Sequence, residues 1–159
     1  MDEVWLHSEY VTPDYAISAA PLLGVTRSVL LQGFSFSSEQ WNLSVNTSLW
    51  TETRMFQLRD CQVGENCCGS IANLCRRAKV SELDDVIFED FGKFCRAFIE
   101  NSGGDEEGCQ MLWFWNDSAK NHRFEILELS KKLGWRVSRD TGEDITIVNF
   151  PENTFDNSE

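Results

Sequence analysis

The sequence predicts an α+β protein in which a small N-terminal antiparallel sheet packs with a C-terminal αβαββ unit. In the first half, short segments alternate apolar and polar residues between polar connections, which is typical of half-buried strands. In the second half, helical apolar stripes alternate with strand-like runs, and the last patterned stretch has the form of a hairpin. No internal repeat is evident.

The N-terminal part, residues 1–80, is predicted to be β-rich and to end in a short helix. Its alternating segments indicate the three strands of an antiparallel meander. We place the boundary with the second part near Val80, where strands give way to alternating helix and strand; one continuous domain is the alternative. The predicted elements are strands at 27–36, 41–45 and 54–59 and a helix at 70–79.

The C-terminal part, residues 81–150, opens with the strongest helical pattern of the chain. Ser81 is followed three positions later by Asp84, which resembles a capping box, and acidic side chains suit the positive end of a helix. The predicted elements are a long helix from Ser81, a strand at Met111–Trp115 covered on both faces, a helix from Ser118 and a hairpin up to Phe150; an acidic tail follows at 151–159.

The net charge of the chain limits the kinds of partner that it is expected to bind. The 159 residues carry a net charge of −12, which opposes nonspecific attraction to phosphate backbones. An acidic surface suits a protein partner with a basic surface, and we select Asp84 and Asp85 as candidate docking residues. No apolar stretch is long enough to span a membrane, and the first residues are acidic, unlike a secretory signal. We therefore expect an intracellular protein, cytoplasmic or nuclear, without a membrane partner.

The six cysteines bear on metal and redox chemistry. In an intracellular protein they are expected to be buried free thiols. The alternative is a zinc or thiol-dependent site, although the spacing offers no Cys-x-x-Cys pair. Only two histidines are present, and no nucleophile elbow, phosphate loop or dinucleotide fingerprint occurs. We expect no cofactor, no catalytic residue and a non-enzymatic protein. The residues of the zinc alternative are Cys61, Cys67, Cys68 and Cys75.

One segment, 119–139, is basic within the acidic second half. It holds six cations against only two acids, Glu125 and Glu128. A cationic flank of this kind is the electrostatic footprint of a nucleic-acid-binding surface. Its candidate residues are Lys120, Arg123, Lys131, Lys132, Arg136 and Arg139.

The order of elements in residues 82–150 is also informative. A long helix, a strand, a second helix and a hairpin with Ser and Gly at Val137–Gly142 follow one another. This layout resembles the R-three-H domain family, which is named for an Arg-x-x-x-His motif and is associated with single-stranded nucleic acid. Arg123 falls where the family's arginine lies, and Leu127 falls where its histidine lies. The resemblance implies an αβαββ fold and binding of single-stranded RNA or DNA.

The replacement of the histidine by Leu127 favours a different ligand. On a helix, Arg123, Phe124 and Leu127 share one flank, so that a cation stands beside an apolar pair. An exposed Phe–Leu pair is typical of a protein-binding surface; the alternative is that both side chains pack under the N-terminal strands. Our leading hypothesis is a non-enzymatic adaptor or regulatory protein that binds another protein through Phe124, Leu127, Asp84 and Asp85. Single-stranded nucleic-acid binding and a zinc or thiol-dependent function remain the alternatives.

Overall fold

A computed structural model describes residues 3–12, 15, 27–37, 53–100 and 108–149. Within these ranges the chain forms both strands and helices, which confirms the predicted α+β class. The strands are β1 (Glu3–His7), β2 (Ser28–Gln32), β3 (Ser35–Phe36), β4 (Met55–Arg59), β5 (Gln62–Val63), β6 (Val80–Asp84), β7 (Ile87–Phe88), β8 (Met111–Trp115), β9 (Arg136–Asp140) and β10 (Asp144–Val148). The helices are α1 (Cys68–Arg77), α2 (Phe91–Glu100) and α3 (Asp117–Leu133).

The main sheet has seven strands in the order β1-β2-β4-β6-β8-β10-β9. The first five are parallel to one another, and each pairs with the next without a shift in register. β10 and β9 run antiparallel and close one edge of the sheet. The short strands β3, β5 and β7 form a second parallel sheet, in the same order as the long strands that precede them.

The N-terminal sheet is therefore parallel, and the prediction of an antiparallel meander was wrong. An antiparallel pair can be joined by a tight turn, whereas parallel neighbours need a long crossover. Helix α1 supplies that crossover between β4 and β6, and α2 supplies it between β6 and β8. The sheet also runs unbroken across Val80, because β6 pairs with β4 on one side and with β8 on the other.

A repeated unit underlies this arrangement. Each unit places apolar residues at alternate positions of a long strand and then turns at a residue with positive φ; a short strand follows the turn after β2, β4 and β6, and α3 follows it after β8. The turn is occupied by Gly33, Asp60, Asp85 and Asn116, all with positive φ between 52° and 80°. Only glycine, asparagine and aspartate adopt this conformation with ease.

The turns are joined by a ladder of backbone hydrogen bonds. The amide of Gly33 donates to the carbonyl of Arg59 at 2.9 Å, and the amide of Asp60 donates to Asp84 at 3.0 Å. The amide of Asp85 donates to the carbonyl of Trp115 at 3.3 Å. Stacked units whose strands pair with their neighbours form a solenoid, a repeat of structure that the uneven spacing of the units does not make evident in the sequence.

The helix predicted to begin at Ser81 is instead strand β6 followed by a turn. Ser81 and Leu83 are fully buried, while Glu82 and Asp84 point to the other face, so the period is two. The buried Ser81 hydroxyl donates to the carbonyl of Cys75 at 3.3 Å. Helix α2 begins ten residues later, and its cap is Asp90, whose carboxylate accepts the amide of Lys93 at 3.1 Å.

The three helices lie on one face of the main sheet, and the core fills the space between them. Side chains from alternate strand positions meet the apolar faces of the helices there. The fully buried members with the largest side chains are Phe36, Phe56, Phe94, Phe98, Phe114, Leu31, Leu58, Ile71, Leu74, Leu83 and Leu112.

The C-terminal elements agree more closely with prediction. Helix α3 and the β9–β10 hairpin lie where they were expected, and α3 ends at Gly134, a left-handed cap with φ 71°. Strand β8 is central, but only one of its faces is covered, because Trp113 and Trp115 remain partly exposed. The predicted strand at 41–45 and the acidic tail at 151–159 fall outside the described residues.

Candidate functional site

The face of the main sheet opposite the helices carries a regular array of half-buried side chains. We call it the strand face and define it by the outward side chains of β2, β4, β6 and β8, all of which are only half-buried. No element within the described ranges packs over these strands. Because the strands are in register, the outward residues form straight rows across the sheet. One row is Leu30, Gln57, Glu82 and Trp113, and the next is Gln32, Arg59, Asp84 and Trp115.

Two tryptophans form an aromatic platform at one side of the strand face. The rings of Trp113 and Trp115 lie 4.6 Å apart, centroid to centroid, with an angle of 31° between their planes. The indole of Trp113 donates to Asp144, a buried carboxylate whose other oxygen lies 2.7 Å from the Arg139 guanidinium. This chain of contacts fixes the orientation of Trp113. The Trp113 side of the platform is therefore held in place by the sheet itself.

Two carboxylates stand next to the platform. Glu82 lies opposite Trp113 in the register and accepts a hydrogen bond from the side-chain amide of Gln57. Asp84 lies opposite Trp115 and accepts a hydrogen bond from Asn116 at 2.9 Å. A groove of about 390 Å³ is lined by both carboxylates and Trp115, together with Leu30, Gln57, Leu58, Arg59 and Asn116.

Asp84 and Asp85, predicted together as docking residues, have different environments. Asp84 belongs to the strand face, and the Arg59 guanidinium lies 3.7 Å from its carboxylate. Asp85 occupies the left-handed turn, and its carboxylate accepts the amide of Asp117 at 3.1 Å. An acid at this point caps the first turn of α3 and interacts favourably with its positive end. The contacts of Asp85 indicate a structural role.

Phe124 and Leu127 lie in the helix layer, on the other side of the sheet from Asp84. The Phe124 ring is 74% exposed, whereas Leu127 is half-buried. Phe124 borders a groove of about 400 Å³ between α2 and α3, which is also lined by Cys95 and Ile99. The structure therefore does not join the predicted apolar pair and the predicted acids into one surface.

Among the described residues, acids within α3 or on neighbouring segments pair with four of the six predicted nucleic-acid-binding cations. Lys120 lies 3.3 Å from Glu143, and Lys131 lies 3.5 Å from Glu128. Arg123 pairs with Asp140, and Arg139 pairs with Asp144. Paired cations present less positive potential to a phosphate backbone. Of the other two, Arg136 is half-buried on β9 and Lys132 is exposed on α3.

The cysteines are placed for packing. All six have free thiols, and five of them are buried. The thiol of Cys61 donates to the carbonyls of Leu31 and Arg59, at 3.4 and 3.3 Å. Burial raises the pKa of Cys61 to about 11, and it raises the pKa of Cys67, Cys68 and Cys75 as well. Such thiols stay protonated at neutral pH. Within the described part of the chain, no three Cys, His, Asp or Glu side chains form a group that could hold a metal.

Trp113, Trp115 and Glu82 were not among the site residues predicted from the sequence. Trp113 and Trp115 were assigned to a doubly covered strand, and Glu82 to a helix. A signal was present in the alternation of Leu112 and Phe114 with the two tryptophans, because side chains two residues apart point to the same face. This alternation identifies Trp113 and Trp115 as part of an exposed face only when the neighbouring strands are known.

Comparison with family models, with curated proteins and with solved structures gives no match. The resemblance of residues 82–150 to the R-three-H family stays a prediction. In the described ranges, no helix combines the length and the apolar character needed to cross a bilayer.

Proposed function

We propose that this protein is a non-enzymatic, intracellular adaptor that binds another protein through the strand face. The observation that carries the proposal is the ordered, half-exposed row of Leu30, Gln57, Glu82 and Trp113, with the Trp113–Trp115 platform beside it. Tryptophans fixed in position on a mixed polar and apolar surface are typical anchors of protein interfaces. Free thiols in every cysteine support a reducing, intracellular setting.

The architecture supports the same proposal. The strand and turn of one unit place apolar residues at Phe56, Leu58, Cys61 and Val63, and the preceding unit does so at Val29, Leu31, Phe34 and Phe36. This spacing is similar to the strand signature of leucine-rich repeats. Proteins that stack such units use the extended strand surface for binding. Architecture alone does not assign a function, so the proposal rests on the residues of the face.

The strand face is a better candidate than the Phe124 surface for a specific partner. Its aromatic and charged side chains are held by hydrogen bonds with residues of β4, β10 and the turn at Asn116, which reduces the entropy lost on binding. Phe124 is a single exposed ring beside a groove of similar size. One exposed apolar side chain is common on protein surfaces.

Two variants with the same chemical change test the proposal. Leu30→Asp places a carboxylate on the strand face, and Phe124→Asp places one on the helix layer. Tagged wild type and both variants are used to capture partners from a nuclease-treated lysate of the native host, with folding checked by circular dichroism. We expect a protein that is retained by wild type and Phe124→Asp and is lost with Leu30→Asp.

Three results would contradict the proposal. A partner lost only with Phe124→Asp would move the interface to the helix layer, as the sequence predicted. Saturable binding of labelled single-stranded RNA or DNA at low salt, weakened by Arg123→Glu, would favour the nucleic-acid alternative. Stoichiometric zinc in the purified protein would favour the metal alternative.

A further inference from the structure

We propose that the groove between Glu82, Asp84 and Trp115 receives a cationic side chain of the partner, with arginine preferred over lysine. The inference rests on the proposed function, because it assigns the chemistry of the residue that anchors a partner to the strand face. Glu82 and Asp84 lie directly opposite Trp113 and Trp115 in the register of β6 and β8. Each carboxylate therefore lies beside an indole, on the same face of the sheet.

The size of the groove fits a side chain. At about 390 Å³ it lies at the small end of protein pockets that hold ligands, which range over about 300–1,000 Å³. Leu30 gives the groove a half-exposed apolar part, and Glu82, Asp84 and Arg59 carry its charged groups. A long side chain with an apolar stem and a charged head matches this combination of surfaces.

The charge of the groove is negative. Two carboxylates, Glu82 and Asp84, face a single guanidinium, that of Arg59. Glu82 accepts a hydrogen bond from the neutral side-chain amide of Gln57, so this contact leaves the charge of Glu82 uncompensated. Arg59 lies 3.7 Å from the Asp84 oxygen, which is longer than a hydrogen bond. A second cation, supplied by the partner, would therefore balance the remaining negative charge of the groove.

The aromatic wall favours arginine. A guanidinium can form two parallel hydrogen bonds with a carboxylate while its plane stacks on an indole, whereas an ammonium is a more strongly hydrated point charge. A cation within about 6 Å of a tryptophan ring is also attracted by the ring's quadrupole. The carboxylates together with the neighbouring indole would thus favour an arginine side chain over a lysine side chain.

The test uses the full chain and three peptide probes. Acetyl-Gly-Arg-Gly-amide is titrated into ¹⁵N-labelled protein, and the indole N–H signals of Trp113 and Trp115 are followed after assignment with Trp113→Phe and Trp115→Phe. Acetyl-Gly-Lys-Gly-amide compares the two cations. The citrulline peptide has the shape of the arginine peptide without its charge. We expect saturable shifts with arginine, weaker binding with lysine and none with citrulline.

Two variants and a control identify the carboxylates. Glu82→Gln and Asp84→Asn should each weaken binding of the arginine peptide about three- to fivefold, the change expected for the loss of one exposed ion pair. Glu125→Gln removes an exposed carboxylate from the helix layer and should leave binding unchanged. Equal binding of the citrulline peptide, no saturable shift, or unchanged affinity in both groove variants would overturn the inference.

The same variants separate this inference from the proposed function. If Leu30→Asp abolishes partner capture while Glu82→Gln and Asp84→Asn retain it at full affinity, the strand face binds the partner but the cationic anchor is wrong. If Leu30→Asp has no effect on capture, the proposed function fails, and the peptide titration still decides whether the groove binds a cation.

Discussion

On β6, Ser81 and Leu83 are fully buried against the helices, whereas Glu82 and Asp84 are half-exposed on the strand face. The same alternation runs through β2, β4 and β8. Adjacent residues of one strand therefore belong to two regions with different chemistry. The helix-covered side is apolar and closely packed, and the strand face is polar, aromatic and hydrogen-bonded.

This difference separates a side that stabilises the fold from a side that, under the proposed function, is open to a partner. A substitution on the covered side removes buried area and leaves a cavity, so its cost falls on folding. A substitution on the strand face alters a surface that is already in contact with water, so it costs little folding free energy. Neighbouring residues whose substitutions affect the free energy of unfolding in the opposite order would contradict this separation.

The largest effect is expected for Leu83→Ala. Leu83 is fully buried in the middle of the parallel sheet, and the substitution should lower the free energy of unfolding by about 2–5 kcal/mol. Glu82→Gln, one residue earlier, should change it by no more than about 0.5 kcal/mol. Urea unfolding followed by tryptophan fluorescence measures both. Equal losses in the two variants would mean that the two faces are not separated in this way.

The second effect concerns a buried polar contact between the repeats and α3. The Ser118 hydroxyl is fully buried and accepts the backbone amide of Val86 at 2.7 Å. Ser118→Ala would leave that amide without its partner, at a cost of about 1–3 kcal/mol. The matched control is Ser138→Ala, since Ser138 is half-buried on β9 and makes a longer contact of 3.4 Å to Thr146. A cost in Ser138→Ala as large as that in Ser118→Ala would contradict the assignment.

Part of this fold could be predicted from the sequence because some signals are local. Helix α3 carries its own stop signal, Gly134, and the β9–β10 hairpin has a short polar connection, so both were found at their positions. The strand at 54–59 was predicted correctly because its apolar residues alternate. In each case, residues close in the chain hold the whole signal.

The pairing of the strands could not be predicted in the same way. The long strands start at Glu3, Ser28, Met55, Val80 and Met111, so the intervals between units differ and no fixed period repeats. At β6, Ser81 and Asp84 imitate the start of a helix, and tertiary contacts with β4 and β8 override that local preference. The left-handed position, with Gly33, Asp60, Asp85 and Asn116, was the signal that could have aligned the units.

The candidate site was harder to predict than the fold. Glu82 and Trp113 belong to strands separated by a helix, and only the parallel register makes them neighbours. Phe124 was correctly expected on a flank of α3, and the structure gives its exposure. Whether either surface binds a partner depends on the partner's chemistry, which no pattern in this chain contains.

The smallest expected effect is a pH dependence of stability that arises on the helix-covered side of the sheet. The His122 ring stacks on Phe91 at 4.4 Å and interrupts the regular dihedrals of α3. Desolvation by burial lowers the pKa of His122 below its ordinary 6.5, against the opposing charge of Glu125. The unfolded chain therefore takes up this proton at a higher pH than the folded protein does. Stability from His122 should be complete above pH 6.5 and should fall as the pH drops toward the lowered folded pKa.

A variant isolates this contribution from the carboxylates that titrate in acid. His122→Phe keeps an aromatic ring against Phe91 and removes the proton site, and the Nε2 atom that it deletes has no hydrogen-bond partner within the described residues. Thermal unfolding at pH 7.5 and pH 5.5 should show a larger drop in Tm for wild type than for His122→Phe. The strand-face variant Glu82→Gln should keep the wild-type pH dependence over this interval, because it leaves the packing of His122 on Phe91 unchanged. An identical drop in wild type and His122→Phe would show that the covered side holds no group that titrates near neutrality.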